Sequence, residues 1–111
     1  MNIAVIGSRG FRDYAFLSEN LSQFSISKII SGGAYGADSL ARRFALARRI
    51  PLVEFRPDYE LHGKVAPLIR NRSIISNADA VVAFWDGKSS GTAHALRIAS
   101  KMGIACHIFK V

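Results

Sequence analysis

The stretch SGGAYGAD, residues 31–38, places three glycines and one aspartate between two segments of different character. An apolar pair, Ile29 and Ile30, precedes it, and a long segment rich in alanine and arginine follows it. This change of pattern predicts a strand, a loop and a helix, in that order. Glycine costs about 0.5–1 kcal/mol in regular structure relative to alanine, so three of them require a cause. Either the loop is a tight turn, or another group approaches its backbone closely.

Short apolar runs recur along the chain and predict five β-strands. Most of them are continuously apolar rather than alternating, which is typical of parallel strands covered on both faces. The predicted strands are IAVI (3–6), KII (28–30), LVEF (52–55), AVVAF (80–84) and ACHIF (105–109).

Helical patterns separate the predicted strands. In the first, Leu17, Leu21 and Phe24 share a face, and Asp13 is placed to cap its start. The later patterns are Leu40, Phe44 and Ala47; Leu68, Arg72 and Ile75 within 66–77; and Ala95, Ile98 and Met102 within 91–102, before Gly103. The connection 56–66 is long, and loops of this length in compact domains often have a function. The alternation predicts an α/β three-layer sandwich around a five-stranded parallel sheet of order 3-2-1-4-5.

Length and composition exclude several classes of protein. The 111 residues suffice for one domain, so 1–111 is predicted to be a single unit, and half of them are hydrophobic, unlike a disordered chain. No apolar run approaches the roughly 20 residues that span a bilayer, so no membrane association is predicted. The lone Cys106 predicts a reducing, cytoplasmic location. The three histidines lack metal-ligand spacing, so no metal site is predicted.

The charge favours an anionic partner. Fifteen Lys and Arg residues against eight Asp and Glu residues give a formal net charge of +7, and ten of the fifteen are arginine. Guanidinium groups bind phosphate through paired hydrogen bonds, so the partner is predicted to be a nucleotide-like molecule or a nucleic acid. The alternative is that the charge serves only solubility.

Three glycine-bearing loops each follow a predicted strand: GSRG (7–10), GGAYGAD (32–38) and DGKSSGT (86–92). In a parallel sheet these loops lie at one edge, where ligands of open α/β sheets bind. Gly36 and Gly91 fall at helix starts, where free N–H groups favour an anion. The alternative is that glycine and serine serve turn geometry alone. The common dinucleotide and P-loop signatures are absent.

Four motifs together resemble the SLOG superfamily, and within it the YspA/cpYpsA-related branch of small Rossmann-like domains. They are IAVIGSRGF (3–11), SGGAYGADSLARRFA (31–45), APLIRNRSII (66–75) and ADAVVAFWDGKSSGTAHAL (78–96). The resemblance covers nearly the whole chain and implies one Rossmann-like, nucleotide-binding domain over 1–111. It implies no cofactor beyond the nucleotide-derived ligand.

More distant relatives imply two different activities. LOG-type phosphoribohydrolases cleave a nucleoside monophosphate, and their arginine and glycine-threonine step match Arg70 and Thr92. Asn71 replaces their lysine, and His94 and Ala95 stand where they carry glutamates. The DprA family uses a related fold to bind single-stranded DNA. Related proteins often pair through helices, so a homodimer is a further hypothesis.

The candidate site residues combine the loops with the resemblance. The residues predicted to bind the ligand are Gly7, Ser8, Arg9, Gly32, Gly33, Gly36, Asp38, Arg70, Asn71, Ser89, Ser90, Gly91 and Thr92. The residues predicted to act in catalysis are Arg70, Asp86 and His94.

Several of these residues, and two aromatic residues near them, also have a structural interpretation. Asp38 either accepts hydrogen bonds from a ribose or caps a helix, and Thr92 either binds phosphate or is an N-cap. Trp85 and Tyr35 either stack on a base or lie at the core edge. The leading hypothesis is therefore a nucleotide-ligand site, in a sensor or in an N-glycosidic-bond-cleaving enzyme. The alternative is a module that binds single-stranded nucleic acid.

Overall fold

The computed structural model describes all 111 residues and contains one sheet of five parallel strands. The strands are β1 (Asn2–Gly7), β2 (Lys28–Ser31), β3 (Leu52–Glu54), β4 (Ala80–Trp85) and β5 (Ala105–Lys110). Their order in the sheet is β3-β2-β1-β4-β5, which confirms the predicted topology. Every strand end lies within one residue of its predicted position.

Helices cover both faces of the sheet and complete the three predicted layers. The helices are α1 (Tyr14–Leu21), α2 (Ala37–Arg48), α3 (Tyr59–His62), α4 (Ala66–Ser76) and α5 (Ser90–Lys101). Helices α1 and α2 pack on one face, and α4 and α5 pack on the other. None of these helices combines the length and the apolar character that crossing a bilayer would require.

The central strand β1 explains the continuously apolar pattern. Ile3 and Val5 point into the core beneath α1 and α2, whereas Ala4 and Ile6 point into the core beneath α4 and α5. All four are buried, because helices lie on both sides of the sheet. β1 pairs with both β2 and β4, so the order of the sheet reverses at its carboxyl end. Such a reversal opens a crevice between the loops that follow the strands.

The two local predictions for α1 have opposite outcomes. Asp13 caps α1 as predicted, since its carboxylate accepts a hydrogen bond from Phe16 N at 3.0 Å. However, α1 ends at Leu21, so Phe24 lies in the following turn, where its ring contacts His107. The chain turns there because Phe24 N bonds back to Leu21 O at 3.1 Å.

The long connection 56–66 contains regular structure. It forms α3 and then a 3-10 turn at Gly63–Val65, which leads directly into α4. Asp58 begins α3 by accepting a hydrogen bond from Leu61 N at 3.1 Å. This segment therefore carries the start of α4, with Pro67 in its first turn, to the carboxyl edge of the sheet.

Candidate functional site

The loops after β1, β2 and β4 meet around one cavity of about 870 Å³ at the carboxyl edge of the sheet. We call it the large cavity. Helices α4 and α5 form its other walls. The predicted residues that line it are Gly7, Arg9, Asp38, Arg70, Asn71, Asp86, Ser89, Ser90, Gly91, Thr92 and His94. Most of the predicted binding residues are thus brought together in space.

Four residues predicted to contact a ligand do not line the large cavity: Ser8, Gly32, Gly33 and Gly36. Ser8 is buried, and its hydroxyl oxygen accepts a hydrogen bond from Asp86 N at 2.9 Å. Gly33 lies beneath the Arg56 guanidinium, which donates to Gly33 O at 3.2 Å. These residues make contacts within the protein and do not face the interior of the large cavity.

The glycines of the 31–38 loop serve contacts within the protein. Gly36 precedes α2 with φ +76°, and a Cβ there would overlap the carbonyl oxygens of Ser8 and Arg9. A Cβ on Gly32 would lie 2.5 Å from Arg70 Nη1 and 2.9 Å from Asp38 Oδ2. The loop is therefore glycine-rich because the β1–α1 backbone and the Arg70 guanidinium approach it closely.

Arg70 ties α4 to the loop after β2. Its Nη1 donates to Gly32 O at 3.0 Å, and its Nε donates to Asn71 Oδ1 at 3.0 Å. Partial burial lowers the pKa of Arg70, while the nearby Asp38 carboxylate raises it and Arg9 lowers it again. An arginine remains charged under these opposing influences. Arg70 therefore holds a fixed positive charge at the wall of the large cavity.

Asn71 fixes the proton position on His94. Its Oδ1 accepts from Arg70, so its Nδ2 must donate to Gly91 O at 3.3 Å and to His94 Nδ1 at 3.2 Å. His94 Nδ1 is then an acceptor, and the ring proton lies on Nε2. Burial is the largest cause that lowers the pKa of His94 below 6.5, and the charges of Arg97 and Arg72 lower it further. These influences all favour the neutral form of the imidazole.

Asp38 is a nearly buried carboxylate in the first turn of α2, only 8% exposed. Its Oδ2 accepts a hydrogen bond from Ala34 N at 3.1 Å. Burial raises its pKa above the ordinary 3.8, although the Ala34 N–H and the charge of Arg70 act against this. The buried Ser31 hydroxyl also lowers the pKa of Asp38, but it makes no hydrogen bond of good geometry. Asp38 presents acceptor oxygens to the large cavity.

Asp86 has a structural role in the loop after β4. Its Oδ1 accepts hydrogen bonds from Lys88 N and Ser89 N, both at 2.8 Å. These two bonds lower its pKa below 3.8, so the carboxylate is ionised at neutral pH. Trp85 supports the same loop, because its indole Nε1 donates to Ser89 O at 3.1 Å. The loop is therefore held in shape without a ligand.

The start of α5 leaves backbone donors open. Ser89 is the N-cap residue, but its side chain makes no capping bond, and its hydroxyl lies 3.2 Å from that of Thr92. Thr92 is therefore a buried first-turn residue and not the N-cap that the sequence suggested. No carbonyl or side chain accepts from the amides of Ser90, Gly91 and Thr92. All three residues line the large cavity.

Unpaired positive charge surrounds the large cavity. The ion pairs of the structure are those of Glu54 with Arg42 and Arg56. Arg9, Arg70 and Arg97 line the cavity and form none of these ion pairs, although the Asp38 carboxylate is close enough to Arg70 to raise its pKa. Arg97 was not among the residues predicted from the sequence. Its spacing from Ser90 and His94, at i, i+4 and i+7, would have placed it on their face of α5.

The two aromatic residues predicted to stack on a base lie elsewhere. Tyr35 is 79% exposed and Trp85 supports its own loop, and neither lines the large cavity. The apolar wall comes instead from Pro67 and Leu68 at the start of α4. The sequence did not indicate that these two residues face the cavity, because they follow the long connection 56–66, whose course could not be predicted.

Comparisons with known proteins agree with the fold. A family model described as the YspA, cpYpsA-related SLOG family matches residues 1–62. Gene 61 protein of Mycobacterium phage D29 is 34% identical over 113 residues, covering 92% of this chain and 90% of the phage protein.

A solved structure also matches. It is DNA processing protein A from Helicobacter pylori, described as binding single-stranded DNA, with a TM-score of 0.74 over 97% of this chain. At 24% identity, this likeness shows a shared fold. The present chain spans 64% of the length of that protein's chain.

Proposed function

Because the chain belongs to the YspA, cpYpsA-related SLOG family, we propose that it binds a nucleotide or nucleotide-derived ligand in the large cavity. One observation carries the proposal: three arginines that form no ion pair line the same cavity as a helix start whose amides are open. An anionic group satisfies both features at once. We further propose that residues 1–111 act as one binding domain.

The phosphate of the ligand would lie at the start of α5. The amides of Ser90, Gly91 and Thr92 supply donors there, and Arg97 supplies charge from the next turns of the same helix. A helix terminus alone contributes only about 0.3–1 kcal/mol when exposed, so the arginine is needed to hold the group. The hydroxyl of Ser89 adds a further donor.

The sugar would lie toward the loop after β2. A carboxylate repels phosphate but accepts hydrogen bonds from hydroxyl groups, which suits Asp38 to the ribose. Pro67 and Leu68 offer an apolar surface to a base. This orientation separates the anionic end of the ligand from the carboxylate in the same cavity.

The candidate catalytic groups suit binding better than cleavage of the N-glycosidic bond. Such cleavage needs an acid to protonate the base or a free carboxylate to stabilise an oxocarbenium-like sugar. Asp86 Oδ1 already accepts two amide hydrogens, and His94 Nδ1 accepts from Asn71. Asp38 is the other carboxylate of the cavity, and burial raises its pKa, which disfavours the ionised form that an oxocarbenium-like sugar would need. We therefore propose a ligand-binding module, and not a phosphoribohydrolase.

Calorimetric titration with the four ribonucleoside monophosphates tests the binding proposal. We expect saturable binding, and we expect Arg97→Ala to weaken it about tenfold because a charge-assisted contact to phosphate is lost. Lys101→Ala removes an exposed charge one turn further along α5, outside the cavity, and serves as the matched control. Absence of binding, or equal loss in both variants, would refute the proposal.

Chromatography of the same mixtures for free base separates binding from cleavage. We expect no release of base after prolonged incubation with the wild-type protein. Release of base that is abolished in Arg70→Ala and retained in Lys101→Ala would instead support the enzyme hypothesis, since Lys101 is exposed and lies outside the cavity.

A second candidate function, single-stranded nucleic-acid binding, is favoured by the fold shared with DNA processing protein A. The arginines of α2 offer it little support, because Arg42 binds Glu54 at 2.7 and 3.0 Å and Arg43 lies over the Tyr14 ring. Its signature is salt dependence: log K falls by about 0.7 for each phosphate neutralised per decade of salt. A mononucleotide held mainly by amides should show a much shallower slope.

A further inference from the structure

A second cavity of about 540 Å³ lies beside the large cavity, against the β1–α1 loop. We call it the aromatic pocket. It is formed by this loop, the first turn of α1 and the end of β5. Gly10 and Asp86 line both cavities. The two spaces therefore share these two residues as part of their walls.

The floor of the aromatic pocket is a rigid set of rings. Phe11 and Phe16 line it, with ring centroids 6.3 Å apart and planes at 81°. Phe11 stacks at 5.3 Å on Phe84, which is fully buried in the core. Phe11 is only 8% exposed and Phe16 is half-buried, so the core fixes both rings and leaves a small, preformed apolar surface facing the pocket.

The rim of the aromatic pocket carries two cations and two carboxylates, so its formal charges balance. Arg12 and Lys110 line it without ion-pair partners. Its carboxylates are engaged: Asp13 caps α1 and Asp86 accepts from Lys88 N and Ser89 N. The Lys110 ammonium lies 3.8 Å from the position of a Cβ on Gly87, next to the shared residue Asp86. Lys110 is therefore a cation without an ion-pair partner, close to where the two cavities join.

We propose that the aromatic pocket is a second subsite for the same ligand, and that this ligand is a dinucleotide whose two nucleosides are joined by a pyrophosphate. One nucleoside would occupy the large cavity, the linkage would pass Gly10 near Lys110, and the second base would lie on Phe11 and Phe16. This inference rests on the proposed function, since it places the first nucleoside in the large cavity.

Titrations with adenosine monophosphate and with diadenosine diphosphate test the inference, because the second probe adds a second copy of the same nucleoside, joined through one further phosphate. We expect the dinucleotide to bind about tenfold more tightly, as one additional stacked base would produce. Arg12→Glu and Lys110→Glu should remove this advantage and leave binding of the monophosphate unchanged. Lys101→Glu makes the same charge reversal outside both cavities and should retain the advantage.

Amide chemical-shift mapping locates the second base. Both probes should shift the signals of Gly91 and Thr92, and only the dinucleotide should shift those of Phe11 and Phe16. If both probes bind equally and Phe11 and Phe16 do not respond, the second subsite is refuted while the proposed function stands. If neither probe binds, both are refuted. A loss of monophosphate binding in Lys110→Glu would also refute two separate subsites.

Discussion

The loop after β2 and the loop after β4 are both rich in glycine, yet they leave different groups free. In the loop after β2, the Gly32 and Gly33 carbonyls accept from Arg70 and Arg56, and Gly36 lies against the β1–α1 backbone. In the loop after β4, the side chain of Asp86 organises the turn, and the amides that follow remain open. Glycine content alone therefore does not identify a ligand cradle; the unsatisfied donors do.

The largest expected effect distinguishes the glycines of the two loops. Gly36→Ala should lower the free energy of unfolding by about 3 kcal/mol, because the residue has φ +76° and its Cβ would overlap the carbonyl oxygens of Ser8 and Arg9. Gly91→Ala should change it by less than about 0.5 kcal/mol, since no atom lies within 4 Å of that Cβ position. Urea denaturation of both variants measures the difference.

The same pair should show the reverse order in ligand binding. Gly91 lines the large cavity, so its new methyl group would enter the space at the start of α5 and weaken binding. Folded Gly36→Ala protein, by contrast, should retain affinity for the nucleotide. Equal destabilisation of the two variants would show that the loops do not differ as described.

The topology could be predicted from the sequence because it depends on short-range pattern. The continuous apolar runs of β1 and β4 reflect the burial of these strands on both faces of the sheet. The start of α1 was predictable because the side chain of Asp13 itself caps the helix. The four-residue α3 lies below the length at which helical periodicity can be read. Thr92 resembled an N-cap, but α5 begins earlier and without a side-chain cap.

The site could be predicted only in part, because its details depend on contacts between segments that are far apart in the sequence. Nothing local shows that Arg70 would fill the space beside Gly32, or that Ser8 O and Arg9 O would lie against Gly36. The same holds for Asn71, whose hydrogen bonds reach residues 20 and 23 positions away. Arg97 is different, since its helical spacing from His94 was readable.

The carboxylates of the two loops should respond to pH with opposite sign. Burial raises the pKa of Asp38 above 3.8. The folded protein therefore loses stability as the pH rises from 3.8 through the pKa that Asp38 has in the folded state. Amide hydrogen bonds lower the pKa of Asp86. Its contribution to the free energy of unfolding is therefore fully present above pH 3.8, and it is lost as the pH falls through the pKa that Asp86 has in the folded state.

Asparagine variants measure these two contributions. Asp38→Asn should be more stable than the wild type at neutral pH, with the difference closing toward pH 3.8, whereas Asp86→Asn should be less stable at neutral pH. Denaturation at a series of pH values supplies the profiles. Asp38→Asn should also weaken nucleotide binding about tenfold, because the ribose loses a charged acceptor. A stable Asp38→Asn protein with undiminished affinity would show that Asp38 does not contact the ligand.

The smallest expected effect concerns the proton on His94, which connects the two loops through Asn71 and Arg70. In Asn71→Asp, the carboxylate still accepts from Arg70 Nε but no longer donates to His94 Nδ1. The imidazole should then carry a proton on Nδ1, and its pKa should rise toward or above 6.5 because an anion now faces it. Long-range ¹H–¹⁵N spectra report both the tautomer and the titration.

His107 is an internal control in the same spectra, because it packs on Phe24, away from the large cavity. Its signals should not change. Nucleotide affinity should change by only about threefold, since Asn71 acts on the ligand through His94 and the Gly91 carbonyl. If His94 keeps its proton on Nε2 in Asn71→Asp, the hydrogen-bond chain from Gly32 through Arg70 and Asn71 does not set its protonation. The two loops would then be coupled by packing alone.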